Sequence, residues 1–524
     1  MSEFAGEHRV FGALRRPERR GDGRIGRRFP GRFGARPWCR AGPSRHESRH
    51  SVVNYGFFEE WNPPGGVLTT WTATPQSREA ARRAPAHPTP PSYQQEVYLR
   101  AAYREDGQGF RASRLCMIAF DLPGIPDHRA MTRTVNAFLR RHDTFTCHFV
   151  PQVDGSFGRH RIDPRTVDFR PVRHGATAGS AAIRSHVQGE TPGPLEWDCF
   201  TFGIIERTDS FTVYAAIDHL HTDGVAQALT FVDLLTIYSA ECAGRPAALP
   251  ETTGHIAYCD RDRQVNRQLG PHSAGVREWR NILYRHGGEI PAFPLDTGVT
   301  RGGYTRGAQV TVTLLPEAQA IEFDELCASQ GGRFLAGILA AAACVERELA
   351  GRTRYLGLTP VNTRHEVGEA ASVGWYTNLL PVSFQVGAAD TFASLVGSAQ
   401  RAMDQARQLS DISLHRVLEL AEQDPNIAAA PGCSTPMLSY LDIRRIPGVA
   451  MFTAVNGGIY ANPISPREVY IWVNRFADAT RITLLFPDNA RARESVDRYL
   501  AALRRVVNTV CTTGDYGLAV DAVP

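Results

Sequence analysis

The chain has 524 residues, 43% hydrophobic and 21% charged, enough for two domains with ordinary globular cores. All 58 basic residues are arginine, which excludes a Schiff-base lysine, hence a pyridoxal-phosphate enzyme or lysine aldolase, and a Walker A phosphate loop. The net charge of +4 is uneven: residues 1–50 hold 13 arginines against 5 acidic residues, so the rest of the chain sits near −4 and the total is no sign of nucleic-acid binding.

Residues 1–52 read as a disordered Arg-rich leader, either a solvated tail or the product of a start codon assigned too early (Val52 or Val53 then being the start), in preference to a basic arm that touches membrane or nucleic acid. Residues 53–90 read as an irregular, proline-rich N-terminal segment. An N-terminal lobe is expected over 91–270. In it "LCMIAFDL" (115–122) reads as a buried strand. Asp127 reads as the N-cap of a helix with Met131, Val135, Phe138 and Leu139 on one face. "FTVYAAID" (211–218) reads as a strand, and 225–242 as a helix ending near Gly244. Residues 271–307 read as a loop-rich connection between lobes, the loop character starting near Pro246. A C-terminal lobe is expected over 308–524, with strands "QVTVTLL", "YLGLTPV", "VYIWVNRF" and "ITLLFPD". Its helices are a buried one over 334–351 and a last one carrying Val496, Leu500, Leu503 and Val507. Strands mixed with helices in both halves predict two α/β lobes of similar size. No run of about 18 apolar residues predicts a membrane span, and no signal-peptide core stands at the N-terminus. Ten cysteines without CxxC pairs fit reduced thiols in a cytoplasmic protein.

The stretch "AAIDHLHTDGVA" (215–226) joins a strand to a helix and brings His219, His221 and Asp223 within five positions. A strand-end loop can display a reactive side chain on a rigid scaffold, and histidine exchanges protons near neutral pH. Alternate residues of an extended segment share a face, so His219, His221 and Asp223 could also approach a metal. The chain nevertheless has no HExxH and no Cys/His cluster, and a metal site is not expected. A histidine merely satisfied in a turn is the bland alternative.

The pattern His219-x-x-x-Asp223-Gly224 resembles the HHxxxDG signature of the condensation-domain superfamily of CoA-dependent acyltransferases, with Asp218 in place of the first histidine. "PSYQQEVYL" (91–99), "RRHDTFTCHF" (140–149), "YCDRDRQ" (258–264), "VGWYTNLLPV" (373–382) and "SYLDIR" (439–444) resemble further motifs of that superfamily in the same order. The phrases "WTATPQSREAARRAP", "PLEWDCFTFGII", "IDHLHTD", "IWVNRF" and "LLFPDN" are most similar to the polyketide-associated (Pap-type) acyltransferases of trehalose glycolipid biosynthesis. In that group an Asp before the histidine is not a sign of inactivity.

This resemblance implies an α/β fold of two chloramphenicol-acetyltransferase-like lobes forming a V-shaped pseudo-dimer with a tunnel between them. It implies an O-acyltransferase that moves a fatty or polyketide acyl group to a sugar hydroxyl, that of trehalose or a sulfated trehalose, in glycolipid biosynthesis. His219 would be the general base and Asp223 a loop-orienting residue paired with Arg364 of "TPVNTRHE". Gly224 would let the backbone pass close to the tunnel wall. Asp218, Trp375 and Asn378 would support the site, the last two as tunnel residues by position. No bound cofactor is implied; acyl-CoA or a phosphopantetheine thioester is co-substrate. The implied partners are an acyl carrier protein or polyketide synthase and a sugar acceptor, with no nucleic acid, and the protein is expected as a monomer. A lipid product is compatible with peripheral contact at the inner face of the membrane. A DFGWG motif is not recognisable, so the oxyanion partner stays unassigned. The rival readings are amide formation of the peptide-synthetase type and a non-catalytic recruitment module.

Overall fold

The computed structural model describes residues 54–107, 114–177, 179–299, 306–430, 433, 435–446, 448–462 and 468–518. The expected leader, 1–52, lies outside them.

A seven-stranded sheet forms the first lobe. Its spatial order is Asn54–Phe57, Gly458–Ala461, Leu115–Pro123, Ser210–Asp218, Phe200–Glu206, Gly66–Ala73 and Phe169–Thr177. The first pair is parallel and the others antiparallel. Helices His128–Arg141 and Gly224–Cys242 cover one face, where Phe120, Phe138, Phe202, Val213 and Phe231 form an apolar core. Asp127 caps the first helix as its sequence predicts, its Oδ1 accepting from the amides of Arg129 and Ala130.

The second lobe rests on a four-stranded sheet, Gly307–Pro316, Ala479–Pro487, Tyr470–Arg475 and Leu438–Asp442. The predicted buried helix, Phe334–Ala350, ends at Gly351 in the left-handed region (φ 64°). It packs in one core with Phe392–Ala406 and Ala490–Thr513, and Val496, Leu500, Leu503 and Val507 of the last helix are buried there. A hairpin of Arg354–Asn362 and Thr377–Gln385 carries residues toward the first lobe.

Three sequence expectations are corrected. Residues 53–90 are not irregular. They supply the strands Asn54–Phe57 and Gly66–Ala73 and the helix Pro75–Arg82. The strand "GVLTTWTA" lies inside the sheet with most of both faces covered, so it lacks the apolar–polar alternation that marks a half-exposed strand. The connection over 271–307, and the loop-rich stretch before it, contain the helices His255–Arg267 and Ala274–Tyr284. The latter buries Val276, Trp279 and Leu283 against Leu414 and Val417. The boundary near 308 is not a clean partition, because Gly458–Ala461 of the second half is an interior strand of the first lobe's sheet.

Among the described residues every cysteine is free. No single described helix is long and apolar enough to cross a membrane.

Candidate active site

The strand Ser210–Asp218 is buried along nearly its whole length and stops at a 3₁₀ turn, His219–His221, followed by the helix from Gly224. Asp218 makes this turn. Its Oδ1 accepts from Leu220 N at 3.0 Å, and its Oδ2 from Tyr98 Oη at 3.0 Å and Arg114 N at 3.2 Å. Burial raises its carboxyl to about 6, against the pull of these donors. The acid in place of a first histidine is therefore a buried cap of the turn.

His219 is half-buried. Its amide donates to Arg114 O at 2.8 Å, and its ring lies 4.3 Å from that of Trp375, which is 5% exposed. Nδ1 is buried without a hydrogen bond, which leaves Nε2 as the nitrogen able to meet a substrate. Desolvation lowers the histidine to about 4, helped by the charge of Arg114 and opposed by the carbonyls of His219 and Thr222 and the charge of Asp223. At neutral pH the ring is uncharged and holds a lone pair.

His221 points elsewhere. It is buried, its Nδ1 meets Thr144 Oγ1 at 2.9 Å, and burial pushes it to about 3. His219, His221 and Asp223 thus engage separate partners.

Asp223 caps the helix, its Oδ1 accepting from Ala226 N at 2.8 Å. Arg364 meets it with both terminal nitrogens, Nη1 to Oδ2 at 3.0 Å and Nη2 to Oδ1 at 3.2 Å. Tyr376 N donates to Oδ2 at 2.8 Å. The guanidinium also stacks 4.2 Å from the Tyr376 ring and reaches the carbonyls of Ser372 and Gly374. This pair holds the segment that sets Trp375 over His219.

Two expected roles change. A Cβ on Gly224 would meet only Leu441 Cδ2, at 3.8 Å, so the backbone does not pass tightly against protein; the space beside this exposed glycine is open. Asn378 is a brace rather than a tunnel residue. Its Nδ2 donates to Ser410 O (2.7 Å) and Ile412 O (3.0 Å), and its Oδ1 accepts from Leu379 N.

Sequence reasoning left Tyr98, Arg114, Thr144 and Tyr376 unassigned, although the motif phrases contain three of them. "RRHDTFTCHF" braces the site: His142 Nδ1 accepts from Val373 N, Asp143 accepts from His255 N, and Thr144 holds His221. Gln95 and Tyr98 of "PSYQQEVYL" hold Leu220 O and Asp218.

An apolar groove begins one turn along the helix from Gly224. Its floor is Ile118, Ala228 and Phe231; its roof is Ile446, Val449 and Phe452. The enclosed space among them is about 20 Å³, room for roughly one water, and the rest of the groove is open to solvent.

Two interlocked lobes, a neutral histidine at a strand end and an aspartate–arginine clamp across the lobes define a condensation-type acyltransferase, and the chain belongs to the Condensation domain family, whose model matches residues 94–431. It is similar to acyltransferase PapA3 of Mycobacterium tuberculosis (strain ATCC 25618 / H37Rv), at 34% identity over 472 residues, 89% of this chain and 98% of that protein. It is similar to trehalose-2-sulfate acyltransferase PapA2 of Mycobacterium bovis (strain BCG / Pasteur 1173P2), at 36% over 450 residues, 85% and 95% of the two. A solved structure described as PapA2 acyl transferase superposes with TM-score 0.82 at 34% identity, covering 88% of this chain and all of that one. The expected two-lobed chloramphenicol-acetyltransferase-like fold and Pap-type acyltransferase membership are borne out.

Proposed function

We propose that this acyltransferase moves a fatty or polyketide acyl group from acyl-CoA or a carrier-bound phosphopantetheine thioester to a hydroxyl of trehalose or a sulfated trehalose. The observation that carries the chemistry is the uncharged His219 at the end of its strand, with Nδ1 buried. Nε2 takes the proton of the acceptor hydroxyl as its oxygen bonds to the thioester carbonyl carbon. When the C–S bond breaks, the imidazolium returns that proton to the leaving thiolate. No acyl-enzyme is required, because holding both substrates in line supplies much of the advantage.

Asp223 and Arg364 act through position, keeping the loop and Trp375 in register. In this reading the narrow apolar groove of Ile118, Phe231 and Phe452 parts to receive the acyl chain, since burying its methylenes there is favourable by roughly 0.8 kcal/mol each. A lipid product would favour peripheral contact with the inner face of the membrane. Support for the sugar acceptor comes from the relative named trehalose-2-sulfate acyltransferase.

The test is a mass-spectrometric transfer assay with palmitoyl-CoA, comparing wild type and His219→Ala on trehalose, trehalose 2-sulfate, other sugars and amines. An acylated sugar made by wild type and lost in the variant is expected. Product on amines alone would move the reading to amide formation.

A further inference from the structure

Arginines around the site are almost all engaged. Arg364 pairs with Asp223, Arg261 with Glu369, Arg263 with Glu96 and Arg141 with Asp233; buried Arg159 donates to the carbonyls of Thr89 and Pro90. Arg114 differs. Its backbone is tied on both sides, its amide donating to Tyr98 Oη at 3.1 Å and its carbonyl accepting from His219 N at 2.8 Å. Its half-buried guanidinium lies 5.1 Å from the Tyr98 ring and, among the described residues, donates no hydrogen bond and pairs with no carboxylate. Asp218, the nearest acid in the turn, directs its oxygens to the amides of Leu220 and Arg114 and to Tyr98 Oη. Tyr98 in turn packs edge-on against Trp375 at 5.8 Å, and Trp375 covers His219. This cation, unpaired among the described residues, therefore stands two rings away from the base, close enough for its charge to disfavour a proton on His219.

A guanidinium fixed on an aromatic face but lacking a partner presents a planar fork of donors that matches the terminal oxygens of a sulfate or phosphate ester. We propose that Arg114 is a specificity-determining residue that binds an anionic ester group of a substrate reaching His219, with a sulfated sugar acceptor as the favoured source. Proximity supports that source. A sulfate on the sugar whose hydroxyl reaches Nε2 stays within the span of one disaccharide, whereas the phosphates of CoA are removed from the thioester by the whole pantetheine arm. This inference rests on the sugar-acceptor reading above and adds a preference for a charged acceptor.

Calorimetric titration of the full chain tests it, using wild type, Arg114→Gln and Arg114→Lys with trehalose 2-sulfate, trehalose, CoA and pantetheine as probes. The expected result is that wild type binds the sulfated sugar ~10–100-fold more tightly than trehalose, the range of a charge-assisted hydrogen bond or two. Arg114→Gln abolishes the difference, and Arg114→Lys restores part of it. A CoA-over-pantetheine preference that vanishes in Arg114→Gln, with none between the sugars, keeps the anion site and assigns it to the donor phosphates. Equal affinities within each pair in wild type, or the same contrast in Arg114→Gln, overturns the proposal. A uniform loss for all four probes, accompanied by a lower Tm, overturns it as well, because that pattern marks a structural arginine. Acyl transfer to the two sugars is measured separately. Its absence would sink the acceptor reading, while the binding contrast still decides the role of Arg114.

Discussion

Arg364 and Asp223 lie 141 positions apart and meet through two parallel hydrogen bonds in a place where both side chains are buried. Removing one partner leaves the other charge enclosed, a loss of about 3–5 kcal/mol. Asp223→Ala should therefore lower the Tm strongly and reduce kcat by freeing Trp375. Asp223→Ala combined with Arg364→Met should recover part of the stability but not the activity. Thermal melts and transfer rates on the two variants check this; an Asp223→Ala protein with wild-type melting and turnover would refute the clamp.

His219 contributes chemistry rather than cohesion, since among the described residues its buried Nδ1 has no well-formed hydrogen-bond partner. His219→Ala should lower kcat by about 10²–10⁴-fold and leave the melting temperature near that of wild type. Because burial lowers this histidine to about 4, the acid limb of kcat/KM should fall near pH 4, and the rate should stay level through pH 6.5, where an unperturbed histidine would titrate. An acid limb centred near 6.5 would contradict the enclosed geometry.

Acid should also unfold the protein in a defined window. His219, His255 and His415 are lowered to about 4 and His221 to about 3, in every case chiefly by burial. The unfolded chain takes up these protons near pH 6.5, before the folded one does. Stability is thus fully present above about 6.5 and is lost as pH falls toward 4. Denaturant melts at pH 7, 6 and 5 should show a progressive decline, and His415→Asn, which removes one of these buried rings, should soften it. A flat profile over that range would contradict neutral buried histidines.

The apolar groove gives a chain-length prediction. Ala228→Phe places a ring between Phe231 and the roof residues Val449 and Phe452. Transfer of palmitoyl groups should fall about tenfold or more, roughly 1.4 kcal/mol, while acetyl transfer changes little. Equal effects on both chain lengths would remove the groove from the acyl path.

Much of this arrangement is legible in the residues. The strand ending at Asp218, the helix starting at Gly224 and the arginine after "TPVNT" each stand in short patterns with their own local signals. Asp218 is less legible: only the structure shows that its acceptors are met by Tyr98, Arg114 and Leu220, which come from distant parts of the chain. Asn378 and Gly224 mislead for a related reason. Their motif position is correct, yet the direction of a side-chain amide and the space around a missing Cβ depend on neighbours that sequence order does not reveal. The helix His255–Arg267 hides behind a mostly polar sequence whose buried apolar members, Ile256, Tyr258 and Cys259, are too few for a clear period. The strand Gly458–Ala461 is four residues long with two glycines just before or at its start, below the length at which alternation is informative.

That short strand bears on how the protein is made. Leu115–Pro123 receives its outer neighbour only from Gly458–Ala461, so during synthesis one edge of the first sheet waits through more than 300 further residues. At typical ribosomal speeds the wait is on the order of tens of seconds, with backbone donors and acceptors exposed to any other strand that arrives. Nascent chains released before Ala461 should consequently be aggregation-prone, and the halves should assemble when supplied as two fragments only if the cut leaves residues 458–461 free to reach that edge.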